Sequence, residues 1–565
     1  MRASDSSPAR PDPITVDVVQ QSLVAITDQM FAVTRRTAMS SVIYEVLDFG
    51  VAITRADGAL ASAGAGIPAF VGMLDPAVRA ILAAYAPTEI REGDVFISND
   101  PYRGGVSHTN DVVLTMPVFF GGALVAWTAN KGHWMDIGGS APGSTSPEAT
   151  DLFQEGLLLP EVKIMSGDAL NAPLFATLIA NSRLPRQLQG DFWAAMASVR
   201  LGAERIRSLC RRYGQDLFLY ALDDYLDTAE RQVRRALATA PVGRFRATDR
   251  LDDGRPLSVE VHLGPDRFVV DLRDNPDQDP GPLNASHDAT VVSTQAMFKS
   301  LVLPHGPANA GTFRPLTVLT RPGSIFAATR PAATGLYYEN KLRVSDLILK
   351  AVAPAFESGR AAGHFCSVGA TLIGQTSDDG TPRSFIEPEV GGWGARFDGD
   401  GETALFSTSH GETYTCPVEV NEARNQVLVD RLTLNDSPGG AGRFRGGRGI
   451  DLRYQILSET GWVTAAYTRS RQPAWGLAGG QEGTVNTLRI LRASGEVETL
   501  ISAAGAPLRR GDRVCVLTGQ GGGYGDPLER DPDAVRADLR NGYIRPEDAR
   551  DTYGQTDGDL AEVLR

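Results

Sequence analysis

The stretch that decides the fold is residues 93–136, GDVFISNDPYRGGVSHTNDVVLTMPVFFGGALVAWTANKGHWMD. Three runs in it, DVFISND, VVLTMPVFF and ALVAWTAN, are rich in β-branched and aromatic residues, which predicts strands. Gly121 and Gly122 separate the last two runs and predict a turn between them. His108 therefore precedes one strand of a hairpin, and His133 follows the other.

The sequence before this hairpin predicts a helix and a second hairpin. Apolar residues at spacings of three and four form one helical stripe: Val19, Leu23, Ile26, Met30 and Val33. The runs YEVLDFGVAIT and ALASAGAG flank RADG, whose Asp-Gly pair is a turn signal, so they predict two antiparallel strands. Between that pair and residue 93, VRAILAAYA predicts a further helix.

A chain of 565 residues is longer than one hydrophobic core normally organises. We predict a multi-lobed α+β fold with a disordered leader over 1–12 and a mixed helix and strand catalytic domain over 13–240. A strand-rich α/β middle domain is expected over 241–360, and a glycine-rich, β-dominated domain with a short helical tail over 361–565. A long helical region precedes the first boundary, which we place in PVGRFRATDRLDDGRP.

Composition bears on several classes of function. The net charge of −13 disfavours nucleic acids and anionic membranes as partners, because both would repel the chain. The four cysteines form no CxxC pair, which indicates free thiols rather than disulfides or a zinc knuckle. The polar amino terminus lacks a signal-peptide pattern, and no apolar run reaches the roughly 20 residues of a membrane span. We therefore expect a soluble, cytoplasmic protein.

Both histidines at the central hairpin belong to the pattern His-x-x-Asp: His108 with Asp111, and His133 with Asp136. Residues three apart on a strand face opposite ways, so each pair converges only if it lies on a turn. Glycines beside both pairs permit such turns: Gly104, Gly105, Gly132, Gly138 and Gly139.

His108, Asp111 and His133, with Asp48 or Asp136 as a further carboxylate, form a candidate metal site. Imidazole and carboxylate ligands without thiolate suit zinc, manganese or iron(II) in a catalytic rather than a purely structural site. The alternative is that His133 is a packed histidine, hydrogen-bonded to a carbonyl group.

Other chemical signals are weak. The sequence contains no G-x-S-x-G elbow and no G-x-x-x-x-G-K-[ST] phosphate loop. Cys416 is expected to be a buried small hydrophobe. GQGGGYGDP at 519–527 predicts a tight glycine turn. GGAGRFRGGRGID predicts exposed β-turns, with an anion site as the alternative at its three arginines: Arg443, Arg445 and Arg448.

The order of several motifs indicates a family. The first part of the chain contains VIYEVLDFGVAI, GDVFISNDPYRGGVSHTNDVVLTMPVF, ANKGHWMDIGGSAPGS and DLFQEGLLLPEVKI. PANAGTFRPLTVL, TYTCPVEVNEAR, SPGGAGRFRGGRGIDLRY and GQGGGYGDPLERDPDAVRADLRNGYI follow. Over about residues 12–555 the chain resembles the hydantoinase B family, which also contains oxoprolinase domains and the large subunits of acetone and acetophenone carboxylases.

This resemblance implies a role in an ATP-dependent hetero-oligomer. A separate hydantoinase A-type subunit would bind ATP and activate a carbonyl oxygen, and the B-type subunit would hold a divalent metal and complete the reaction. The metal ligands of the family match His108, Asp111 and His133, and Asp48 takes the place of a further ligand or catalytic carboxylate.

The activity that the resemblance implies is that of a B-type subunit of an ATP-dependent cyclic amide hydrolase, acting on a hydantoin, 5-oxoproline or lactam ring. Metal-bound water would attack the activated carbonyl carbon, with Asp48 or Asp136 as a ligand or as the base, unless Asp136 orients His133. Two alternatives stay open: a subunit of an ATP-dependent ketone carboxylase, and a non-catalytic scaffold. Many relatives carry a histidine where this sequence has Phe70 or Trp134, so no role is transferred to those positions.

Overall fold

The computed structural model describes residues 11–356, 361–376, 380–411 and 413–556. Most of the predicted leader, residues 1–10, lies outside the described residues. Within the described ranges, no helix has both the length and the apolar character that a membrane crossing requires. The four cysteines are free, as the sequence predicts, and all four are buried.

The first region of the chain builds a seven-stranded antiparallel sheet with helices on both faces. Its strands are β1 (Phe49–Arg55), β2 (Leu60–Gly66), β3 (Val95–Ser98), β4 (Asp111–Phe120), β5 (Ala123–His133), β6 (Val162–Ser166) and β7 (Ala169–Leu170). Its helices are α1 (Pro13–Thr37), α2 (Ser41–Tyr44), α3 (Pro68–Val71), α4 (Leu74–Ala84), α5 (Ala172–Ala180), α6 (Pro185–Tyr213) and α7 (Gln215–Thr239). The strand order is β2-β1-β5-β4-β3-β6-β7.

The two strands of the central hairpin are buried on both faces. Leu114 packs into the core formed with α1 and α6, whereas its neighbour Val113 packs with Leu74 of α4 on the opposite face. Successive side chains of a strand alternate between faces, so Asp111 and His133 lie on the α4 face of the sheet. The hairpin thus directs both polar side chains away from the large helical core.

Most local predictions for this region are confirmed. The amino-terminal helix, both hairpins and the helix at VRAILAAYA are present. Gly104 and Gly105 have φ angles of 111° and 80°, as the predicted turn requires. Gly132 is different, because it lies within β5 rather than in a turn.

The middle region forms a four-stranded sheet in the order β11-β10-β9-β8, covered by helices. Its strands are β8 (Gly243–Arg250), β9 (Pro256–Gly264), β10 (Arg267–Asp271) and β11 (Leu316–Leu319). Its helices are α8 (His287–Val302), α9 (Ala310–Phe313) and α10 (Tyr337–Val352). β8 occupies the segment PVGRFRATDRLDDGRP, so that segment belongs to a sheet and is not a linker. The domain boundaries near residues 240 and 360 stay predictions.

The last region contains two further antiparallel sheets, β13-β12-β16-β19 and β14-β15-β20-β17-β18, that enclose one apolar core. The strands are β12 (Thr371–Thr376), β13 (Pro382–Glu387), β14 (Val427–Leu434), β15 (Ile450–Ile456), β16 (Thr460–Ala466), β17 (Thr487–Leu491), β18 (Val497–Leu500), β19 (Ser502–Arg509) and β20 (Arg513–Leu517). The helices are α11 (Val418–Arg424), α12 (Pro532–Arg540) and α13 (Pro546–Asp551), and the last two form the predicted helical tail.

Glycine-rich segments of this region pack backbone against backbone. The N–H groups of Gly521, Gly522 and Gly523 donate to three different segments, at the carbonyl oxygens of Gly447, Gly363 and Gln481, over 3.0, 2.9 and 2.9 Å. Hydrogen bonds that rotate to a new neighbour at each residue fit the three residues per turn of a polyproline II helix, which has no internal bonds. The prediction of a tight glycine turn is therefore wrong for residues 519–523, where the backbone bonds to neighbouring segments instead of turning back on itself.

Two of the three arginines of GGAGRFRGGRGID are also placed differently from the prediction, whereas Arg443 is exposed. Arg445 is 8% exposed and donates to Asp538, and Arg448 is 6% exposed and donates to the carbonyl oxygens of Asn435 and Gly542. These two side chains tie the glycine segments to the helical tail. The segment thus forms neither exposed turns nor an anion site at these two arginines.

We predict that Gly447→Ala destabilises the fold. A Cβ atom at Gly447 would lie 1.8 Å from the carbonyl oxygen of Glu402, so the backbone would have to separate. We expect a loss of about 1–3 kcal/mol, the usual cost of overpacking, seen as a lower unfolding midpoint in a thermal melt. Gly411→Ala is the matched control, because among the described residues, its chain neighbours aside, no atom lies within 4 Å of a Cβ there. Equal midpoints for the two variants would contradict this account of the packing.

Candidate metal centre

The register of the central hairpin brings the first ligand pair together. Asp111, the first residue of β4, is paired directly with His133, the last residue of β5. The ladder continues beyond them, since the N–H of Trp134 donates to the carbonyl oxygen of Asn110 over 2.9 Å. Side chains of directly paired residues lie side by side on one face of a sheet. Asp111 and His133 are therefore adjacent although they are far apart in sequence.

His108 joins this pair from the turn before β4. The N–H of Asp111 donates to the carbonyl oxygen of His108 over 3.1 Å, which closes the turn and folds the imidazole back over the strand end. Residues three apart on a strand would face opposite ways, but His108 lies in the turn and only Asp111 lies on the strand. The two side chains can therefore converge.

Three ligand atoms converge at this point. His108 Nε2 lies 3.1 Å from Asp111 Oδ1 and 3.2 Å from His133 Nδ1, and the last two atoms are 3.6 Å apart. Metal–ligand bonds of 2.0–2.1 Å in a tetrahedral site would separate ligand atoms by about 3.3 Å. All three residues are buried, and they form one of two groups with metal-ligand spacing among the described residues. The donor set fits a divalent ion.

The tautomer of His108 supports this interpretation. Its Nδ1 lies 3.2 Å from the carbonyl oxygen of Gly335, and a carbonyl can only accept, so Nδ1 carries the proton. Nε2 is then a lone pair directed at His133 Nδ1 and Asp111 Oδ1. A ligating imidazole typically donates its other N–H to a carbonyl or carboxylate in this way.

A buried lysine keeps Asp111 ionised. Lys131 Nζ lies 3.1 Å from Asp111 Oδ2, donates to Ser107 Oγ over 2.8 Å and sits 4.4 Å from the centre of the Phe70 ring. Burial alone would raise the pKa of Asp111, but the charge of Lys131 beside it holds that pKa well below its usual value. Asp111 is therefore a carboxylate, the form that binds a metal.

Asp48 lies at the edge of the cluster. Its carbonyl oxygen accepts from the N–H of His133 over 3.0 Å, and its Oδ2 lies 3.8 Å from His133 Nδ1. Burial raises the pKa of Asp48 above its ordinary value. The structure thus brings Asp48 to the three ligand atoms, beside His133.

Asp136 is not brought to the cluster. Its carboxylate accepts from the N–H groups of Gly138, Gly143 and Arg183 over 3.1, 2.9 and 2.9 Å, and from the guanidinium of Arg183 over 3.0 Å. These bonds hold the loop after β5. The second His-x-x-Asp motif therefore contributes its histidine to the cluster and its aspartate to a loop.

Sequence reasoning missed several side chains at this site. Tyr337, Tyr338, Lys341 and His410 line the same cavity, and Lys131 contacts Asp111. The position of Lys131 could have been predicted, because residues two apart on a strand share a face and Lys131 precedes His133 by two residues. The others come from α10 and from the last region, and nothing in their local sequence links them to the hairpin.

The cavity itself is small. Its volume is about 40 Å3, and a single water needs roughly 10–15 Å3 by the same measure. That space suits an ion with one or two waters. A ring-shaped substrate needs more room, so one of the bulky wall side chains, Phe70, Tyr337 or Tyr338, has to move when such a ring binds.

The second group with ligand spacing, Asp346, His364 and Cys366, is a weaker candidate. Asp346 is already paired with the guanidinium of Arg469, and Trp475 donates to it over 3.1 Å. A fixed arginine charge at this distance repels a further cation. The hairpin cluster is therefore the better metal site.

Comparison with known proteins gives full-length matches. The chain is 30% identical to the beta chain of the caprolactamase of Pseudomonas jessenii, covering 96% of both chains. It is 29% identical to the B-type subunit of a putative D-/L-hydantoinase from a Pseudomonas strain, covering 98% of this chain and 96% of that one. It is 27% identical to the 5-oxoprolinase of Dictyostelium discoideum, but there 91% of this chain matches only 40% of the longer relative.

Solved structures share the fold. The ATP-dependent caprolactamase from Pseudomonas jessenii superposes with a TM-score of 0.90 at 27% identity, covering 98% of this chain and all of that chain. A nucleotide-free acetone carboxylase superposes with a TM-score of 0.89 over 98% of this chain and 82% of that one, but at 16% identity, so it shows the fold alone. The profile of the hydantoinase B/oxoprolinase family matches residues 12–527, and the chain therefore belongs to that family.

Proposed function

We propose that this chain is the metal-bearing subunit of an ATP-dependent enzyme that opens cyclic amides, such as a hydantoin, 5-oxoproline or lactam ring. The observation that carries the proposal is the convergence of His108 Nε2, Asp111 Oδ1 and His133 Nδ1 in a buried cavity. The named relatives at similar length are a caprolactamase and a putative hydantoinase subunit, which favours amide hydrolysis over ketone carboxylation. The carboxylase likeness is limited to the fold.

His108, Asp111 and His133 would hold one zinc, manganese or iron(II) ion, with Asp48 as a fourth ligand or as the base. A divalent ion at this position would polarise a carbonyl oxygen and lower the pKa of water. As the base, Asp48, which lines the cavity, would take up the proton of an attacking water. Its raised pKa makes it a stronger base than an exposed aspartate.

Lys341 would bind the oxygen that becomes negative during the reaction. Its side chain is buried, lines the cavity from α10 and lies 5.6 Å from the centre of the Tyr337 ring. An ammonium in a buried, low-dielectric site stabilises developing negative charge far more than one in water. A phosphoryl group attached to that oxygen is also anionic, so the same lysine would orient a phosphorylated substrate.

The nucleotide would bind to a partner subunit of the hydantoinase A type. The hydantoinase and caprolactamase relatives are each named as one subunit of an enzyme, which implies that each assembles with another chain. The 5-oxoprolinase match supports the same division, because this chain corresponds to only 40% of that longer protein. We infer that ATP activates the ring in the partner, and that ring opening is completed at the hairpin cluster.

The activity is tested with the chain co-purified with its A-type partner. We expect ATP-dependent opening of a hydantoin, 5-oxoproline or ε-caprolactam without bicarbonate, followed by chromatography of the amino-acid product. The same complex is given acetone or acetophenone with bicarbonate and ATP. Carboxylation of a ketone in the absence of any ring opening would refute the hydrolase assignment.

Metal content tests the ligand set. We expect about one divalent ion per chain in the wild type, and loss of that ion in His108→Ala and His133→Ala, because removal of one ligand from three weakens the site strongly. His305→Ala is the matched control, since His305 is exposed and lies outside the cluster. Elemental analysis of the purified chains measures the content. Full metal occupancy in both ligand variants would show that these histidines are not the ligands.

Lys341 gives a prediction for rate and pH. We expect Lys341→Met to lower kcat about a hundredfold, the typical effect of losing one donor to a developing oxyanion, with the metal retained. Lys350→Met, on the same helix but outside the cavity, is the control. Burial lowers the pKa of Lys341 to about 8, so the ammonium is lost, and activity falls, as the pH rises through about 8. Lys341→Arg should move this fall to higher pH, and an unchanged profile would remove Lys341 from the mechanism.

A further inference from the structure

A second cavity lies on the other side of the wall that closes the metal cavity. Ile386 and Pro388 line the metal cavity, whereas Glu387 and Glu389, which alternate with them, line the second cavity. Successive residues of an extended chain face opposite ways, which explains this division. The second cavity has a volume of about 660 Å3, within the range of small-molecule sites. It is a separate site in the fold.

Two polar residues that line this cavity have side-chain oxygens without a hydrogen-bond partner in the described part of the chain. Glu389 is 1% exposed, and neither of its carboxyl oxygens has a hydrogen-bond partner among the described residues. The hydroxyl of Thr413, 6% exposed, is in the same state. Buried polar groups are nearly always hydrogen-bonded, and each exception needs an explanation. A ligand that donates hydrogen bonds would explain both.

Glu387, by contrast, has a hydrogen-bond donor at each of its two carboxyl oxygens. It accepts from the backbone N–H of Cys416 and from the side-chain amide of Asn421, the latter over 3.2 Å. Both donors are neutral, so Glu387 is a second acidic side chain in the cavity lining and does not neutralise Glu389. Burial and then the charge of Glu387 raise the pKa of Glu389 well above its usual value.

The remaining lining selects the charge and shape of a ligand. No lysine, arginine or histidine is among the described residues that line the cavity. Its walls are mostly apolar and aromatic, and include Phe406, Leu452 and Tyr454. A carboxylate or phosphate ligand would meet two acidic side chains and no cationic one, whereas a cation with an apolar body would be complementary in both charge and shape.

A metal ion is the less suitable cation. The groups with metal-ligand spacing among the described residues include neither Glu387 nor Glu389. Divalent ions usually take three or more protein ligands. A cavity of about 660 Å3 is also much larger than one ion requires.

We propose that this cavity binds a primary ammonium compound, whose charge pairs with Glu389 and whose apolar body lies against Phe406 and Tyr454. The ammonium supplies the donors that Glu389 lacks, and the Thr413 hydroxyl accepts a further N–H. This site does not depend on the proposed metal chemistry. Pairing favours the ionised form of Glu389, so binding releases a proton from that residue.

Calorimetric titration of the purified full chain tests the proposal. Hexylammonium is the probe, and hexan-1-ol and hexanoate are its neutral and anionic counterparts of the same length. We expect the wild type to bind hexylammonium more tightly than either counterpart. Titration in buffers of different ionisation enthalpy should reveal the release of a proton.

Glu389→Gln keeps the shape of the side chain and removes its charge. We expect this variant to bind hexylammonium at least about thirtyfold more weakly, with little change for hexan-1-ol. Glu459→Gln is the control, since Glu459 is exposed and pairs only with Arg510 among the described residues. Thr415→Trp, at an exposed position of the lining, should block entry while leaving Glu389 in place.

Three outcomes would overturn the proposal. The first is that the wild type does not bind hexylammonium. The second is that hexan-1-ol or hexanoate binds as tightly as hexylammonium. The third is that Glu389→Gln keeps the affinity of the wild type. Because none of these titrations measures ring opening, failure of this proposal is distinct from failure of the proposed function.

Discussion

Asp111 and His133 face each other only because the β4–β5 ladder has one particular register. That register is set at the far end of the hairpin, where Gly121 and Gly122 adopt φ angles of 57° and 83° and a bulge follows Val118. A slip by one residue would turn Asp111 towards the helical core. Since that core is filled with apolar side chains of α1 and α6, burial of the hydrophobic face enforces the position of the ligands.

The charges of the cavity are balanced before any ion is considered. Asp48 and Asp111 are opposed by Lys131 and Lys341, and every one of these groups is largely buried. Isolated buried charges are costly, whereas opposed ones compensate each other in part. Addition of a divalent ion leaves the cavity with a positive charge. A cavity of that sign suits an anionic, activated substrate, which agrees with the division of labour that we propose between two subunits.

Local sequence patterns predicted the hairpin and its histidines, but not the whole site. Alternating and β-branched runs report local structure, and His108 and His133 stand at the ends of such runs. Lys341 and His410 come from distant segments, so no local pattern connects them to the hairpin. The two His-x-x-Asp motifs are alike as sequence but differ in space, because Asp136 follows the strand and is held by Arg183, 47 residues further along the chain. The positions of Lys341, His410 and Asp136 depend on long-range packing, which local sequence patterns do not report.

The prediction of turns in the glycine-rich segments was wrong for a related reason, and these segments help to position the metal cavity. A glycine that is required by close backbone approach has the same local signature as one that forms a turn. Residues 391–401 pack against the glycine-rich segments of the last region, and the N–H of Gly392 donates to the carbonyl oxygen of Gly519 over 2.9 Å. Pro388 and His410, on either side of this stretch, both line the metal cavity. Backbone contacts between these glycine-rich segments therefore fix one wall of the site. The close approach of the backbones also explains why so many of the residues there are glycines.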